Sequence, residues 1–470
     1  MNIYIETLGC AKNMNDSEVA AGILEKSGHK ITNQIEDAQA IIVNTCGFIN
    51  DAKQESIEKI FDMVQVKNEE TILIVSGCLS QRYQEELYKQ MPEVDIFLGV
   101  NDYVNLPDII ANYNKNNNAN NSNNKNNRQK FFSSYGKEYV EAPARKFEDG
   151  QYSATIKIAE GCDNVCAYCV IPSIRGSYRS RKRENILEEA KKLASQGCKE
   201  LIVVAQDVTS YGVDLYGKYE LSELLKDLCK TDGIRWIRLM YCYEDRITEE
   251  LIETMRTEEK ICNYIDIPIQ HCNDKILKAM NRRSTKNSIM STFKKLRSAM
   301  PDIHIRTTLI TGFPGEGKKE FYELLDFVET VKPERLGVFA YSKEEGTPAA
   351  KMKPQIRAQT KESRVDAIML RQLELSLEHN TSKIGKTLEV IVEEIEYASE
   401  SIKDVNGSFQ DAKRAGIGIG DITYYGRSRY DAPEIDNAVI FSSKKKHKPG
   451  DIVNVEIIDA FDYDLVGRAV

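Results

Sequence analysis

The chain has 470 residues, of which 41% are apolar, and a formal net charge of −8 at pH 7. This length allows two to four domains, and the negative balance excludes a general electrostatic attraction to nucleic acid or anionic lipid. Neither a signal peptide around Asn2–Glu6 nor a run of about 18 apolar residues is visible. The sequence therefore predicts a soluble, cytoplasmic protein that does not contact a membrane.

Residues 1–111 alternate strand-like and helical segments. Three short apolar runs have the composition of buried strands: Ile3–Ile5, Ala40–Val43 and Ile72–Val75. Helical periodicity follows them in Ser17–Ser27, Lys53–Val64 and Gln81–Gln90. This alternation predicts an α/β domain with a parallel sheet.

Residues 112–150 are predicted to be a linker. The run Asn112–Asn127 is nearly all Asn, with a few Lys, Ala and Ser. Such a composition buries too little apolar surface to offset its conformational entropy, so we expect a disordered segment. A prion-like or RNA-contacting tract is the less favoured alternative.

Residues 151–380 repeat the strand–helix pattern six times. The strand candidates are Ala154–Ala159, Glu200–Ala205, Trp236–Met240, Tyr264–Ile269, His304–Ile310 and Leu336–Ala340. Helical stretches such as Leu221–Cys229 and Lys318–Val331 separate them. Six units fit a partial (β/α)6 barrel, because a closed eight-unit barrel usually needs about 250 residues.

From residue 381 to residue 470 the pattern changes to strands alone. The candidates are Leu388–Val392, Ile422–Tyr425, Ala438–Phe441 and Val453–Ile458. Turn sequences such as Lys448–Asp451 separate them. We expect a small β-barrel of the size class that binds oligonucleotides.

Cys162, Cys166 and Cys169 form a CxxxCxxC motif just after a predicted strand. Three thiolates on one loop can bind three irons of a 4Fe–4S cluster and leave the fourth iron open to a substrate or cosubstrate. A tetrahedral zinc site would need a fourth ligand, and no His or Cys close in sequence supplies one. The motif therefore indicates a metalloenzyme.

A second set of cysteines, Cys10, Cys46 and Cys78, is dispersed along the N-terminal region. Each lies shortly after a predicted strand, beside a glycine that lets the backbone approach a bulky cofactor. Because the carboxyl ends of parallel strands meet at one edge of a sheet, we expect the three to lie close together. One such cysteine would normally be a core residue, but three in equivalent positions predict a second cluster with an open iron.

The loop after the fifth predicted barrel strand contains five candidate cofactor contacts: Gly312, Phe313, Pro314, Gly315 and Glu316. Backbone amides in such a turn can meet a nucleoside or its polar groups, although an ordinary strand–helix connector can have this composition. His271 could act as a general acid or base at the barrel mouth. A single histidine is more often structural.

Together these features resemble the methylthiotransferase branch of the radical S-adenosylmethionine (SAM) enzymes, over nearly the whole chain apart from the Asn-rich run. In that superfamily, the CxxxCxxC triplet carries a 4Fe–4S cluster whose open iron chelates the amino and carboxylate groups of SAM. The aromatic residue before the third cysteine, here Tyr168, usually lies near the adenine. The branch also has an N-terminal domain with three dispersed cysteines, which implies a second 4Fe–4S cluster, and a C-terminal β-barrel of the TRAM type. No catalytic side chain is predicted beyond the six cysteines.

The resemblance implies a reaction in which SAM has two roles. One molecule methylates a sulfur attached to the second cluster. Another is split to methionine and a deoxyadenosyl radical, which takes a hydrogen from the substrate carbon that then captures the methylthio group. An unactivated C–H bond offers no acid–base route, so a cofactor must supply the radical. The electron donor is expected to be a flavodoxin- or ferredoxin-like protein, and the two clusters must face each other across a cleft.

Members of this branch modify either the β-carbon of an aspartate in small-subunit ribosomal protein twelve or a tRNA adenosine next to the anticodon. Four stretches resemble the ribosomal-protein type: Leu8–Asn13, Ala205–Asp207, Asp431–Asp436 and Tyr463–Leu465. Residues 381–470 contain 12 Lys/Arg and 16 Asp/Glu, a net charge of −4. A barrel that binds tRNA needs a basic face, whereas an acidic surface attracts a basic ribosomal protein. The protein substrate is therefore favoured, tRNA is the alternative, and direct nucleic-acid binding stays open.

Overall fold

The structure is a computed structural model that describes residues 1–119, 128–142, 144–148, 150–397 and 422–470. Three units follow one another along the chain: a parallel sheet, an open partial barrel and a closed β-barrel. This α/β architecture confirms the predicted fold class. None of the helices in the described ranges combines the length and apolar character needed to span a membrane.

The N-terminal unit is a six-stranded parallel sheet with the order β2-β1-β3-β4-β5-β6. The strands are β1 (Asn2–Thr7), β2 (Lys30–Ile31), β3 (Ala40–Thr45), β4 (Ile72–Gly77), β5 (Ile96–Leu98) and β6 (Gln129–Phe131). The helices are α1 (Ala11–Lys26), α2 (Asn50–Val66), α3 (Cys78–Arg82), α4 (Gln84–Gln90) and α5 (Leu106–Ala119). β3 and β4 are buried along their whole length, as expected for central parallel strands covered on both faces. The strand order reverses between β1 and β3, which is where such sheets bind ligands.

The segment predicted as a linker is partly structured. Helix α5 continues to residue 119, past the expected boundary at residue 111, because Tyr113 is buried in the sheet core and donates a hydrogen bond to Asp95 (2.9 Å). Residues 120–127, the rest of the Asn-rich run, lie outside the described residues. Beyond them, β6 extends the sheet and Arg145 forms ion pairs with Glu18 and Glu189. The amino-acid composition of a segment does not predict packing contacts of this kind.

The central unit is an open, six-stranded parallel sheet with the order β14-β13-β12-β11-β10-β7. The strands are β7 (Ser153–Lys157), β10 (Glu200–Val204), β11 (Trp236–Leu239), β12 (Ile261–Asp266), β13 (His304–Thr311) and β14 (Arg335–Ala340), and the pair β8 (Ala159–Glu160) and β9 (Arg179–Ser180) stands apart. The helices are α6 (Ile171–Arg175), α7 (Arg183–Ser195), α8 (Val213–Tyr216), α9 (Leu221–Cys229), α10 (Glu249–Thr257), α11 (Asp274–Ala279), α12 (Lys286–Ala299), α13 (Lys318–Val331), α14 (Pro348–Lys351) and α15 (Ala358–Thr381). Six strands in an open sheet confirm the predicted partial barrel.

The C-terminal unit is a closed five-stranded barrel with the order β15-β16-β17-β19-β18. Its strands are β15 (Thr387–Tyr397), β16 (Ile422–Ser428), β17 (Val439–Ser442), β18 (Ile452–Ala460) and β19 (Leu465–Ala469). The prediction missed β19, which closes the barrel by pairing in parallel with β17. A buried ion network joins this barrel to the central sheet, where Glu200 accepts hydrogen bonds from Arg238 (2.9 Å) and Arg427 (3.0 Å).

Candidate functional site

The structure brings Cys10, Cys46 and Cys78 together at the carboxyl edge of the N-terminal sheet, around the reversal of strand order. Gly9 has a φ of 94°, and a Cβ atom there would lie only 2.8 Å from the Cys46 Cβ and 3.1 Å from its Sγ. A Cβ atom at Gly47 would lie equally close to the backbone of the next strand end, at 2.8 Å from the Leu79 N and 2.9 Å from the Cys78 carbonyl carbon. The three strand ends therefore touch one another, and side chains larger than glycine would separate them.

One buried asparagine ties these strand ends together. The Asn13 Nδ2 donates to the carbonyl oxygens of Leu8 (2.8 Å) and Thr45 (3.1 Å), and its Oδ1 lies 3.7 Å from the Cys78 Sγ. Asn13 is wholly buried in the first turn of α1. Asn13 was not predicted as a functional residue, because one Asn three residues after a Cys has no distinctive spacing.

Arg175 connects the two groups of cysteines across the domain boundary. It is the last residue of α6, the helix that follows the CxxxCxxC loop. Its guanidinium donates hydrogen bonds to Asp16 (2.7 Å), Glu160 (3.2 Å) and Asn13 (2.8 Å). The same group lies 3.2 Å from the Cys78 Sγ, and Lys157 is ion-paired with the same two carboxylates. Buried charges are tolerated only when paired in this way, so the network fixes one cysteine group relative to the other.

The three N-terminal thiols differ in pKa because their surroundings differ. Cys10 is open to a cleft, and its limited hydration by itself would raise the pKa of the thiol. The Lys12 ammonium and the Asn13 backbone N–H have the larger combined effect, so the pKa of Cys10 is lowered. Burial raises the pKa of Cys46 to about 11. Burial also raises the pKa of Cys78, against the opposing charge of Arg175. Of the three, Cys10 ionises most readily.

The CxxxCxxC loop lies between β8 and β9, with Cys162 and Cys166 buried and Cys169 half-buried. Burial raises the pKa of Cys162 to about 11 and that of Cys169 to about 12, and the neighbouring thiols add to both shifts. The Ile171 backbone N–H donates to the Cys169 Sγ (3.4 Å), and the Tyr243 hydroxyl lies 3.1 Å from the Cys166 Sγ. Hydrogen bonds to the sulfurs are one of the means by which proteins tune iron–sulfur clusters.

The donor set fits clusters better than single ions. In the described part of the chain, no three His, Cys, Asp or Glu side chains converge to hold one metal ion. A single zinc would need its thiolates to meet at about 2.3 Å from one point. In a 4Fe–4S cluster each thiolate binds a different iron, so the sulfurs stand farther apart. Two groups of three cysteines, each gathered on one side, suit that arrangement.

The predicted SAM contacts lie near the triplet, but three of their side chains, those of Tyr168, Phe313 and Glu316, are engaged within the protein. Phe313 is wholly buried with its ring against Tyr341, and Tyr168 packs against the same apolar cluster. The Glu316 carboxylate accepts hydrogen bonds from the Gly312 backbone N–H (2.8 Å) and from Arg364 (2.6 Å). Pro314 is buried as well, and Gly315 is the partly exposed residue of the five. Any ligand contact of this loop therefore falls mainly to its backbone.

His271 is placed as a structural residue. It is wholly buried behind the Gly312–Glu316 loop, where its Nδ1 accepts a hydrogen bond from the Asn273 backbone N–H (2.9 Å). Its Nε2 lies 3.6 Å from the Glu316 carboxylate. The histidine therefore supports the loop from inside.

Arg282 is a candidate ligand contact that no sequence pattern predicted. Its buried guanidinium stacks on the Tyr243 ring, 4.5 Å from the centroid, and lies 3.4 Å from the Tyr168 hydroxyl. Its Nε and Nη2 have no hydrogen-bond partner among the described residues. Arg282 and Cys166 line a cavity of about 190 Å³. A buried guanidinium with free donors is suited to bind a carboxylate or another anion.

A larger cleft of about 660 Å³ opens where the three units meet. Cys10 lines it on the N-terminal side and Tyr241 on the side of the central sheet. Four carboxylates also line this cleft: Glu18, Glu393, Glu394 and Glu434. Glu18 and Glu393 are ion-paired with arginines, whereas Glu394 and Glu434 form no ion pair with any described residue. The walls of the cleft therefore carry several carboxylates, and Cys10 lies on its N-terminal side.

Each of the three units matches a known protein family. Residues 2–99 match "Uncharacterized protein family UPF0004", residues 156–328 match the radical SAM superfamily and residues 417–470 match the TRAM domain. The solved structure of the radical SAM methyltransferase TsrM from Kitasatospora setae, with cobalamin and a [4Fe-4S] cluster bound, has a TM-score of 0.53 at 13% identity and covers 74% of this chain and 76% of that chain. This likeness shows the fold alone. Fold and cysteine loop together define a radical SAM enzyme, a class that uses SAM and a 4Fe–4S cluster.

Relatives that match over the whole chain identify the family within this class. The ribosomal protein uS12 methylthiotransferase RimO of Clostridioides difficile is 45% identical, covering 99% of this chain and 98% of that protein. The protein of the same name from Acetivibrio thermocellus is 46% identical, covering 100% and 98%. The chain belongs to the RimO family and is a radical SAM methylthiotransferase.

Proposed function

We propose that this protein adds a methylthio group to the β-carbon of an aspartate in ribosomal protein uS12, in the cytoplasm, with SAM and two 4Fe–4S clusters. The observation that carries the proposal is the convergence of Cys10, Cys46 and Cys78 on one side of the Arg175 ion network, with the CxxxCxxC loop on the other. Cys10 also opens into the cleft shared by all three units. A sulfur-donating centre and a radical-generating centre need this kind of common access to one substrate.

Each group of residues has a distinct part in the proposal. Cys162, Cys166 and Cys169 would hold the cluster that binds SAM, and Cys10, Cys46 and Cys78 the second cluster. When bound, these groups supply the electron and the radical that an unactivated C–H bond requires. Arg282 would pair with the SAM carboxylate, an assignment supported by its N–H donors, which have no described partner and line one cavity with Cys166. Tyr168 and the backbone at Gly312 and Gly315 would meet the nucleoside.

The charge of the cleft supports a protein substrate. Glu394 and Glu434, which form no ion pair with any described residue, add negative charge to its C-terminal wall. Phosphates of a tRNA would be repelled there, because neutralisation by Lys and Arg dominates nucleic-acid affinity. A basic segment of a ribosomal protein would be attracted and oriented.

The test is an anaerobic reaction of the reconstituted full-length protein with SAM, a flavodoxin- or ferredoxin-type reductant and purified uS12. Mass spectrometry should show one methylthio group in place of one hydrogen on a single aspartate, with deoxyadenosine and methionine released. Cys166→Ala and Cys10→Ala should each abolish the product. Cys229→Ala, which changes a buried cysteine outside both groups, should retain it.

Two results would contradict the proposal. Methylthiolation of tRNA with uS12 unmodified would establish the alternative substrate. Complete loss of iron in the Cys166→Ala protein would argue against two independent clusters, because Cys10, Cys46 and Cys78 should still bind theirs.

A further inference from the structure

Lys12 lies beside the cleft and forms no ion pair with a carboxylate of any described residue. It is half-buried, with its Nζ 3.4 Å from the centroid of the Tyr241 ring. Cys10 and Tyr241, its neighbours on either side, both line the cleft. Within the part of the chain that the structure describes, the Lys12 ammonium forms neither a hydrogen bond nor an ion pair. It therefore keeps donors available, because an ammonium has three N–H groups and one ring face does not satisfy them.

The other charges near Lys12 are already paired. Arg175 and Lys157 share the carboxylates of Asp16 and Glu160, and Gln206 donates a further hydrogen bond to Glu160. A lysine that served only to balance these carboxylates would be expected to contact one of them, as Lys157 does. Apart from the Cys10 thiol two residues away, the Lys12 ammonium therefore faces no described anion that needs it, and its N–H donors can serve a group that enters the cleft.

The backbone of Tyr241, whose ring contacts Lys12, is in a strained conformation. Tyr241 has a φ of 58°, a left-handed value that residues with large side chains rarely adopt. Its backbone N–H donates to the Asp266 carboxylate (3.1 Å), and its carbonyl accepts from the Val208 N–H (3.1 Å). Strain of this kind persists where the surrounding structure enforces it, and it is concentrated at ligand sites. Here it places the aromatic face against the Lys12 ammonium at the edge of the cleft.

We propose that Lys12 binds the side-chain carboxylate of the substrate aspartate, an inference that rests on the proposed function. The carboxylate carbon is bonded directly to the β-carbon that reacts. Holding the carboxylate at Lys12 therefore brings the β-carbon close to Cys10, two residues earlier in the chain. The acidic walls of the cleft disfavour a carboxylate elsewhere, so Lys12 also determines specificity for aspartate over asparagine.

The experiment is a double-mutant cycle of equilibrium binding, measured anaerobically with the reconstituted full-length protein in the absence of reductant. The ligands are uS12 and a uS12 variant with asparagine in place of the modified aspartate. Wild-type protein should bind the aspartate form about 10- to 100-fold more tightly, the range expected for a charge-assisted hydrogen bond. Lys12→Met, which keeps the length of the side chain, should remove this preference. Lys26→Met, on the exposed end of the same helix, should keep it.

The outcomes separate the inference from the proposed function. An undiminished preference for aspartate in the Lys12→Met protein overturns the role of Lys12 while leaving uS12 as the substrate. Failure of wild-type protein to bind either form of uS12 overturns both. A merely structural role for Lys12 would weaken both forms equally, which also refutes the inference.

Discussion

The buried carboxylate of Glu200 should be a strong electrostatic link between the C-terminal barrel and the central sheet. Glu200, Arg238 and Arg427 are each no more than 2% exposed. Replacing Glu200 with Gln keeps the shape of the side chain, leaves the buried guanidinium of Arg238 without its countercharge, and leaves Arg427 with Glu393 alone. We therefore expect a large loss of stability from this single substitution.

Two independent estimates of this loss agree. Burial alone would raise the pKa of Glu200, but the guanidinium groups of Arg427 and Arg238 outweigh it and hold the pKa at about 2. A carboxyl group lowered to this extent contributes about 3 kcal/mol at neutral pH, a contribution present above pH 4.5 and lost as the pH falls toward 2. Removing one partner of a buried ion pair costs about 3–5 kcal/mol. Glu200→Gln should thus lower the free energy of unfolding by about 3 kcal/mol.

Urea unfolding followed by tryptophan fluorescence provides the assay. Trp236 is the single tryptophan of the chain, is buried, and lies opposite Glu200 in the register of β10 and β11. The matched control is Glu389→Gln, whose partner Arg235 crosses the same interface (2.7 Å) with a side chain that is 60% exposed. Exposed pairs contribute at most about 1 kcal/mol. Equal losses from the two substitutions would refute the reasoning that burial sets the strength of this link.

Two further predictions concern the N-terminal cysteines and a buried histidine. Gly9→Ala should lower the iron bound per chain, because the new Cβ collides with Cys46 in the cysteine group that we propose holds a second cluster. Gly28→Ala also has a positive φ (86°) but meets no atom within 4 Å, so it should load normally. Equal iron in both variants would contradict this steric argument. Burial lowers the pKa of His379 to about 3, so the folded protein stays unprotonated there while the unfolded chain takes up a proton below about pH 6.5. Stability should therefore fall by about 1–2 kcal/mol between pH 6.5 and pH 5. Urea midpoints across this range should show a smaller decline for His379→Gln, and an unchanged decline would show that other groups cause it.

Local patterns in the sequence were sufficient for much of the fold. Helices α9 and α13 have the predicted bounds, because amphipathic periodicity and flanking breakers act within a few residues. Cys10, Cys46 and Cys78 could be expected to meet because parallel strands share one edge. The short strand β19 was missed, since its five residues include a glycine and an arginine and have no separate strand signal.

The supporting residues of the site could not be predicted in the same way. Arg175 contacts Asn13 from 162 positions away, and Lys12 reaches Tyr241 from the other domain. No periodicity or spacing within one sequence reports contacts of that length. Phe313 and Glu316 were predicted to contact a cofactor but are buried within the protein, because a loop motif does not reveal which of its side chains face inward.

The junction around Arg145 also protects the protein from self-association. β7 is an edge strand of the central sheet, and its Thr155 carbonyl accepts hydrogen bonds from Asn15 (3.4 Å) and from Arg145 (2.6 Å) instead of from another strand. Unpaired edges of this kind recruit strands from other chains and promote aggregation. A fragment that begins after residue 150 would expose this edge, so we expect it to aggregate where the full chain stays monodisperse. The N-terminal unit thus acts as an internal cap on the sheet of its neighbour.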